Sequence, residues 1–425
     1  MTAEICLMNR VGVALATDSA VTLGGGESPK IYNSADKLFL LTEHAPVGVM
    51  IYGGASVNGV PWETLIKLYR SRSKSPLATV EAYADDLLKF LETNLECFPA
   101  AGQEGVALAH TVLAFRKIRV AVETSVNQRM AQGGAISGKE LPALIASWAE
   151  KALLSFEREI AARPRLARPI DKQALVRRYQ TAVRTRAEEL FKHLPVGRSF
   201  LERIADVVIE ALGRAAFTTH QSGVVVAGFG KNDILPSMVS MQIDDVVADH
   251  VRYQEGAKKS ISHQHTAWVI PFAQSEMVHS FMEGIDPGLD RLIQEFVDKV
   301  YRALPEAFAS CANLTLGKKL KDQLDTMAGE VLTKMWGQLR EERFSNFVLP
   351  VTHIVSYLPK DELAAMAEAL VNLTSLRRRV STDAETVGGP IDVAIITKGD
   401  GFVWIRRKHY FDPTLNPRYI ARHYR

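Results

Sequence analysis

Thr2 follows the initiator methionine, and removal of Met1 would leave it with a free α-amino group beside its own hydroxyl. A hydroxyl is a poor nucleophile near neutral pH, so a base must take its proton. An α-amine, with a reference pKa of about 7.7–8.0, sits close to working pH and belongs to the same residue. A nearby cation favours the neutral, proton-accepting amine, and Lys37 is the candidate for it. A carboxylate at Asp18 would keep that lysine charged and in place. The Gly53-Gly54 turn lets backbone N–H groups approach closely, which suits Gly53 to stabilising a tetrahedral oxyanion. Each residue alone has an ordinary reading: Thr2 is merely second, Asp18-Ser19 an Asx-type turn, Lys37 a surface lysine and Gly53-Gly54 a bend. Their joint placement, starting at the second codon, is the specific signal.

Strands are needed to hold such a set. Ile5 to Met8, Val11 to Thr17, Lys37 to Leu41 and Val47 to Tyr52 are apolar or β-branched, with Gly24-Gly25-Gly26 and Ser34 marking turns. No GK[ST] follows the triple glycine, so it reads as a hairpin connection rather than a phosphate loop. Helical spacing takes over at Trp62 to Tyr69 and Leu77 to Leu95, which suits a sheet covered on one face. Val106 to Gln128, Leu141 to Ile160, Lys172 to Leu194 and Leu201 to Ala215 then read as amphipathic helices, broken at Gly133-Gly134, Pro164, Pro169 and Pro195. The arginines from Arg163 to Arg186 read as a solvated helix face ahead of a docking patch.

Strand character returns at Gly223 to Phe229, Ser237 to Ile243 and Thr266 to Pro271. His263 and His265 alternate on one of these segments, but no third ligand stands at metal spacing, so they read as surface histidines. Ser275 to Met282 and Leu289 to Leu304 read as helix, and a second helical insertion runs through Arg343. Val351 to Tyr357 is expected to be a strand or extended connection, followed by a helix from Pro359 to about Leu376. Pro390 to Thr397 and Gly401 to Arg406 form a hairpin, and the basic, aromatic tail from Lys408 to Arg425 reads as a surface arm or subunit contact.

Composition bounds the rest. With 425 residues, 47% apolar and 23% charged, the chain has room for one large domain or two smaller ones. Cys6, Cys97 and Cys311 are widely spaced, which suggests neither a disulfide framework nor a zinc site and fits a reducing cytoplasm. There is no leader-like N-terminus or membrane-length apolar run, and a net charge of +3 gives no reason to expect nucleic acid. No membrane partner and no cofactor are expected.

The run Thr2-Ala-Glu-Ile-Cys-Leu-Met-Asn-Arg-Val-Gly-Val-Ala-Leu-Ala-Thr-Asp18-Ser19 resembles the start of a mature proteasome β-subunit, a member of the N-terminal nucleophile (Ntn) hydrolase superfamily. Asp18 falls without a gap on that family's catalytic aspartate, and Lys37 and Gly53 follow with one short insertion onto its lysine and oxyanion glycine. Asp383-Ala-Glu-Thr-Val-Gly-Gly389 resembles the late Asp…Ser-Gly-Gly segment, with Thr386 or Val387 in the serine's place. Ser275 matches a further serine, although Ala273 falls near the key position.

The resemblance implies an α+β fold, a four-layer αββα sandwich with large helical insertions. Its core would take residues 2–100, 217–299 and 345–407, with insertions at 101–216 and 300–344 and the tail at 408–425. It implies a threonine peptidase in which Asp383 and Ser275 orient the amine and Val21, Ala35, Phe39, Ile51 and Ala55 form an apolar pocket. A small-molecule amidase and a non-catalytic assembly subunit are the alternatives. The partners implied are a peptide or unfolded protein substrate, further copies of the chain in a ring or stack, and an ATP-dependent unfoldase.

Overall fold

The computed structural model describes residues 2–23, 30–131, 137–218, 220–381, 387–418 and 421. Along the chain come strands β1 (Ala3–Asn9), β2 (Val13–Thr17), β3 (Val21–Leu23), β4 (Lys30–Tyr32), β5 (Leu38–Leu40), β6 (Val47–Gly53), β7 (Ser56–Val57) and β8 (Val60–Pro61). Helices α1 (Trp62–Arg72), α2 (Val80–Thr93), α3 (Ala100–Ala131), α4 (Leu141–Ala162), α5 (Lys172–Phe191) and α6 (Arg198–Leu212) follow. Strands β9 (Ser222–Gly228), β10 (Ser237–Val247), β11 (His250–Ser260) and β12 (Ala267–Ala273) precede α7 (Glu276–Glu283), α8 (Pro287–Cys311), α9 (Lys318–Arg343), α10 (Leu349–Val355) and α11 (Lys360–Arg379). The hairpin of β13 (Asp392–Thr397) and β14 (Gly401–Arg406) comes last. The class is α+β, with antiparallel pairing at β1/β2, β1/β12, β2/β13 and β6/β9.

The chain divides into two compact units. The first comprises Met1–Leu38, Ile234–Ser237 and Ser260–Arg425. Its five-stranded sheet runs β12-β1-β2-β13-β14. All residues of β1 and β2 are buried, which is why their sequences are almost unbroken apolar runs rather than alternations. Ile5, Leu7, Val393 and Ile395 on one face pack with Leu363, Leu370 and Val371 of α11, and Ala14, Ala16 and Ala367 let helix and sheet approach closely. Helices α8 and α9 differ in character. Leu289, Leu292, Phe296 and Phe308 of α8 and Leu320, Met327 and Val331 of α9 are exposed.

The Val351 to Tyr357 expectation is corrected, because that stretch lies mainly in helix α10. A short apolar run does not distinguish a strand from a helix by its period. Pro350 fits the first turn of α10, where a missing N–H costs nothing, and a π-helical turn at Phe344–Val348 precedes it.

The second unit comprises Phe39–Asp233 and Met238–Lys259. Its sheet runs β11-β10-β9-β6-β5. Val49, Ile51, Val224 and Val226 pack with Trp62, Leu65, Tyr83, Leu87 and Leu91 of α1 and α2. Helices α3 to α6 fall where helical periodicity expects them and build a further core around Ile118, Leu153, Val183, Phe191 and Ile204. Phe191 meets Phe115 and Phe200 edge-on, at ring-centroid distances of 5.0 and 5.5 Å.

Arg252 of β11 is fully buried and ties this helical core to the strands. Its Nε donates to Leu212 O (3.0 Å), and Nη2 donates to Ala211 O (3.1 Å), Arg214 O (3.2 Å) and Ala216 O (3.3 Å). It therefore caps the C-terminal carbonyls of α6 that have no partner within the helix. Nη1 pairs with Asp244 and donates to His110 Nε2 at 3.0 Å. Burial, followed by the charge of Arg252, holds the His110 pKa below its ordinary value, which fits an acceptor nitrogen.

Candidate active site

Thr2 leads into β1, and its carbonyl accepts the Gln274 N–H at 3.0 Å where β12 ends. Ala273 stands opposite Ala3 with φ +59°, turning the chain towards α7. Thr2 is 4% exposed, and its Oγ1 has no hydrogen-bond partner among the described residues.

Asp18 follows β2, whose pairing with β1 brings it beside the N-terminus. Its own N–H donates to Ala3 O at 3.1 Å. Oδ1 accepts from Ala3 N (3.2 Å) and from Lys37 Nζ (2.7 Å). Oδ2 accepts from Ala20 N (3.2 Å) and Gly388 N (3.0 Å). With Asp18 1% and Lys37 6% exposed, this is an ion pair shielded from solvent and supported by backbone donors.

The stretch before Lys37 is held by the late glycine segment. Ser19 N donates to Gly388 O (3.1 Å), Ser19 Oγ to Pro390 O (2.5 Å), and Ala35 N to Ser19 O (3.1 Å). Gly389 has φ +77°, and an added Cβ would lie 2.8 Å from Asn33 Cβ, so both conformation and space call for glycine. Lys408 Nζ lies 3.1 Å from Asp36 Oδ1 and also pairs with Asp392 at the start of β13. A tail residue thus fastens the neighbour of Lys37 to the sheet.

Glu4 was not anticipated as part of the site. It is 1% exposed, stands opposite Thr17, and accepts the Thr17 hydroxyl on Oε1 at 3.2 Å, while Oε2 has no partner among the described residues. Burial first, and the Asp18 charge, push its pKa well above the usual carboxylate range, opposed by Lys37 and the Thr17 hydroxyl. The one available sequence signal was a carboxylate inside an otherwise apolar strand.

Among the remaining expected residues, Ser275 occupies the N-cap position of α7 directly after Gln274, but its side chain makes no cap bond. Asp383 and Thr386 lie outside the described residues. Val387, the other claimant to the family's serine position, is buried in the apolar core of the first unit. Val21 pairs with Tyr32 across β3 and β4, and Ala35 is half-buried. Gly53, Phe39, Ile51 and Ala55 belong to the second unit. There Gly53 has φ +78° opposite Ser222, Phe39 and Ile51 are buried, and Ala55 is exposed.

A polar cavity of about 220 Å³ in the first unit is lined by Gln274, Glu276, Asp286, Thr374, Arg377 and Arg378 among others. Arg378 Nε donates to Gln274 Oε1 at 2.5 Å, which connects this recess to the residue that binds the Thr2 carbonyl. His263 and His265 are exposed, and no cluster of three metal-ligating side chains occurs among the described residues. No helix among them is long and apolar enough to cross a membrane.

No family model matches the chain, and no curated protein matches it. Similar solved structures include an Anbu (Gly-1) mutant from Hyphomicrobium sp. strain MC1, with 11% identity over 99% of this chain and 93% of that one, at a TM-score of 0.28. The Anbu complex from Pseudomonas aeruginosa, described as a helical assembly, has 9% identity over 99% and 94% at 0.29. Anbu, or ancestral beta-subunit, from Yersinia bercovieri has 9% identity over 99% and 93% at 0.27. Likeness at these TM-scores carries no conclusion about this chain. The proteasome β-subunit resemblance is corrected accordingly: no family model bears it out, and the similar structures are Anbu proteins at scores this low. The stretches that suggested it are short, and helices α3 to α6, α8 and α9 occupy much of the remaining chain.

Proposed function

We propose that the chain is a hydrolase of peptide amide bonds whose nucleophile is Thr2, freed by loss of Met1. The observation that supports this most directly is the shared Oδ1 of Asp18, which holds the Ala3 N–H at 3.2 Å and the Lys37 ammonium at 2.7 Å. A fixed cation near the chain start disfavours protonation of an α-amine there. In this reading the Thr2 hydroxyl attacks the carbonyl carbon while its proton passes to the α-amine. The amine returns that proton to the leaving nitrogen as the C–N bond breaks, leaving an ester on Thr2. Water then attacks the ester, gives a proton to the amine, and releases the acid as Thr2 Oγ is reprotonated. Val21 and Ala35 are assigned to an apolar pocket for the substrate side chain. The four-layer αββα sandwich and a homo-oligomeric assembly belong to this reading; an experimental structure and native mass spectrometry test them.

The deciding experiment is intact-mass analysis followed by reaction with a peptide epoxyketone or a β-lactone and mapping of the adduct. Loss of the Met1 mass and an adduct on Thr2 are expected. A retained Met1, modification elsewhere, or no adduct on a free Thr2 overturns the proposal.

A further inference from the structure

In the first unit, the buried side-chain polar atoms without a partner among the described residues are Thr2 Oγ1 and Glu4 Oε2. Strand alternation puts residues two apart on the same face, so both orphans share one face of β1 and its lead-in. Unpartnered buried polar atoms are costly and uncommon in native structures, and two of them on one face, two residues apart, point to use rather than accident. Around Glu4 stand Thr17 from β2, Asp18 just after it, and Lys37. Opposite it on β12 is Phe272, and two residues along on its own face is Cys6, whose thiol burial pushes well up.

We propose that Glu4 is a positioning residue for Thr2: its carboxyl sets how much negative charge surrounds Lys37, and so how that lysine tunes the Thr2 amine. Charge balance gives the reason. One ammonium against one carboxylate is a neutral buried pair; an ionised Glu4 would make it two carboxylates against one cation, at a large desolvation cost. Burial accordingly keeps Glu4 in its acid form into a range where ordinary carboxylates are ionised. When pH rises far enough to ionise it, Glu4 competes with Asp18 for the Lys37 ammonium, and the added negative charge raises the proton affinity of the Thr2 amine. Both changes lower nucleophilicity, so the site closes on its alkaline side as Glu4 ionises.

This inference rests on the hydrolase reading for its kinetic arm and on Lys37 alone for its other arm. The pH dependence of Thr2 acylation by a β-lactone is measured for the wild type, Glu4→Gln and Glu4→Ala. A bell is expected for the wild type, and an alkaline limb displaced upward by at least about one pH unit for Glu4→Gln, the response to removing one interacting charge. Glu4→Ala, which removes the carboxyl from the Thr17 hydroxyl and leaves that hydroxyl only the Asp18 carbonyl at 3.0 Å, is expected to lower acylation at every pH, with Glu4→Gln recovering the acid limb. A wild-type alkaline limb in Glu4→Gln overturns the inference. If Met1 proves to be retained, the hydrolase reading fails separately, and NMR titration of Lys37 Nζ still decides Glu4. A second titration step present in the wild type and absent in Glu4→Gln supports it, and identical curves overturn it.

Discussion

Asp18 Oδ1 accepts from both Lys37 Nζ at 2.7 Å and Ala3 N at 3.2 Å, so one oxygen joins the buried cation to the residue after the proposed nucleophile. Positioning and charge are supplied by the same atom. Changes at Asp18 are therefore expected to register in stability and in Thr2 chemistry together.

Asp18→Asn is expected to destabilise the fold by about 3–5 kcal/mol, because it leaves the Lys37 ammonium buried without its counter-charge. Urea unfolding followed by circular dichroism measures this. Adduct formation on Thr2 is expected to drop by about ten- to a hundredfold, the scale of a lost group that holds a working residue in place. A stable variant that still labels at the wild-type rate contradicts the assignment.

Gly389→Ala is expected to cost about 1–3 kcal/mol, since φ of +77° strains an L-residue and the new Cβ meets Asn33. Its melting temperature is the readout. The neighbouring Gly388 N–H supports Asp18, so slower Thr2 labelling is expected to accompany the lower transition.

Asp245 gives a pH signature in the second unit. Burial first, then the charge of Asp244, push its pKa up to about 6, against the Asn58 N–H bond and Arg252. A folded-state pKa above the unfolded value means that the native state holds its proton longer. The associated stability is fully present below the unfolded pKa of about 3.9 and is lost as pH rises through about 6. Chemical denaturation of the wild type between pH 4 and 7, compared with Asp245→Asn, is expected to show this component only in the wild type.

Arg252→Met is expected to lower stability by about 3–5 kcal/mol, because Asp244 is left buried without its cation, holding the Thr218 donors, and the Ala211 and Leu212 carbonyls lose the guanidinium. Arg252→Met combined with Asp244→Leu is expected to recover part of the loss, and equilibrium unfolding of the pair against each single variant checks it.

Much of this was readable in advance. β1, β2, β6 and β9 announce themselves as apolar, β-branched segments, and α3 to α6 by their spacing. The Asp18–Lys37 ion pair was legible as a carboxylate and a cation each suited to hold the other, while a catalytic role for the pair belongs to the proposal. Helix α10 was not, since seven residues with mixed apolar character fit either period. Glu4 and Arg252 were also hidden. Each is an ionisable residue in a strand, and its meaning lies in neighbours as remote as Lys37 for Glu4 and the end of α6 for Arg252.

Arg252 also bears on how the helices at 101–216 can be treated. A chain shortened by exchanging them for a linker would keep Arg252 and Asp244 but lose the Ala211, Leu212 and Arg214 carbonyls, and with them His110. The strand would then hold a guanidinium built for receptors no longer there. Far from a detachable ornament, the bundle is a wall of the second unit, and truncating it is expected to yield insoluble protein rather than a minimal version.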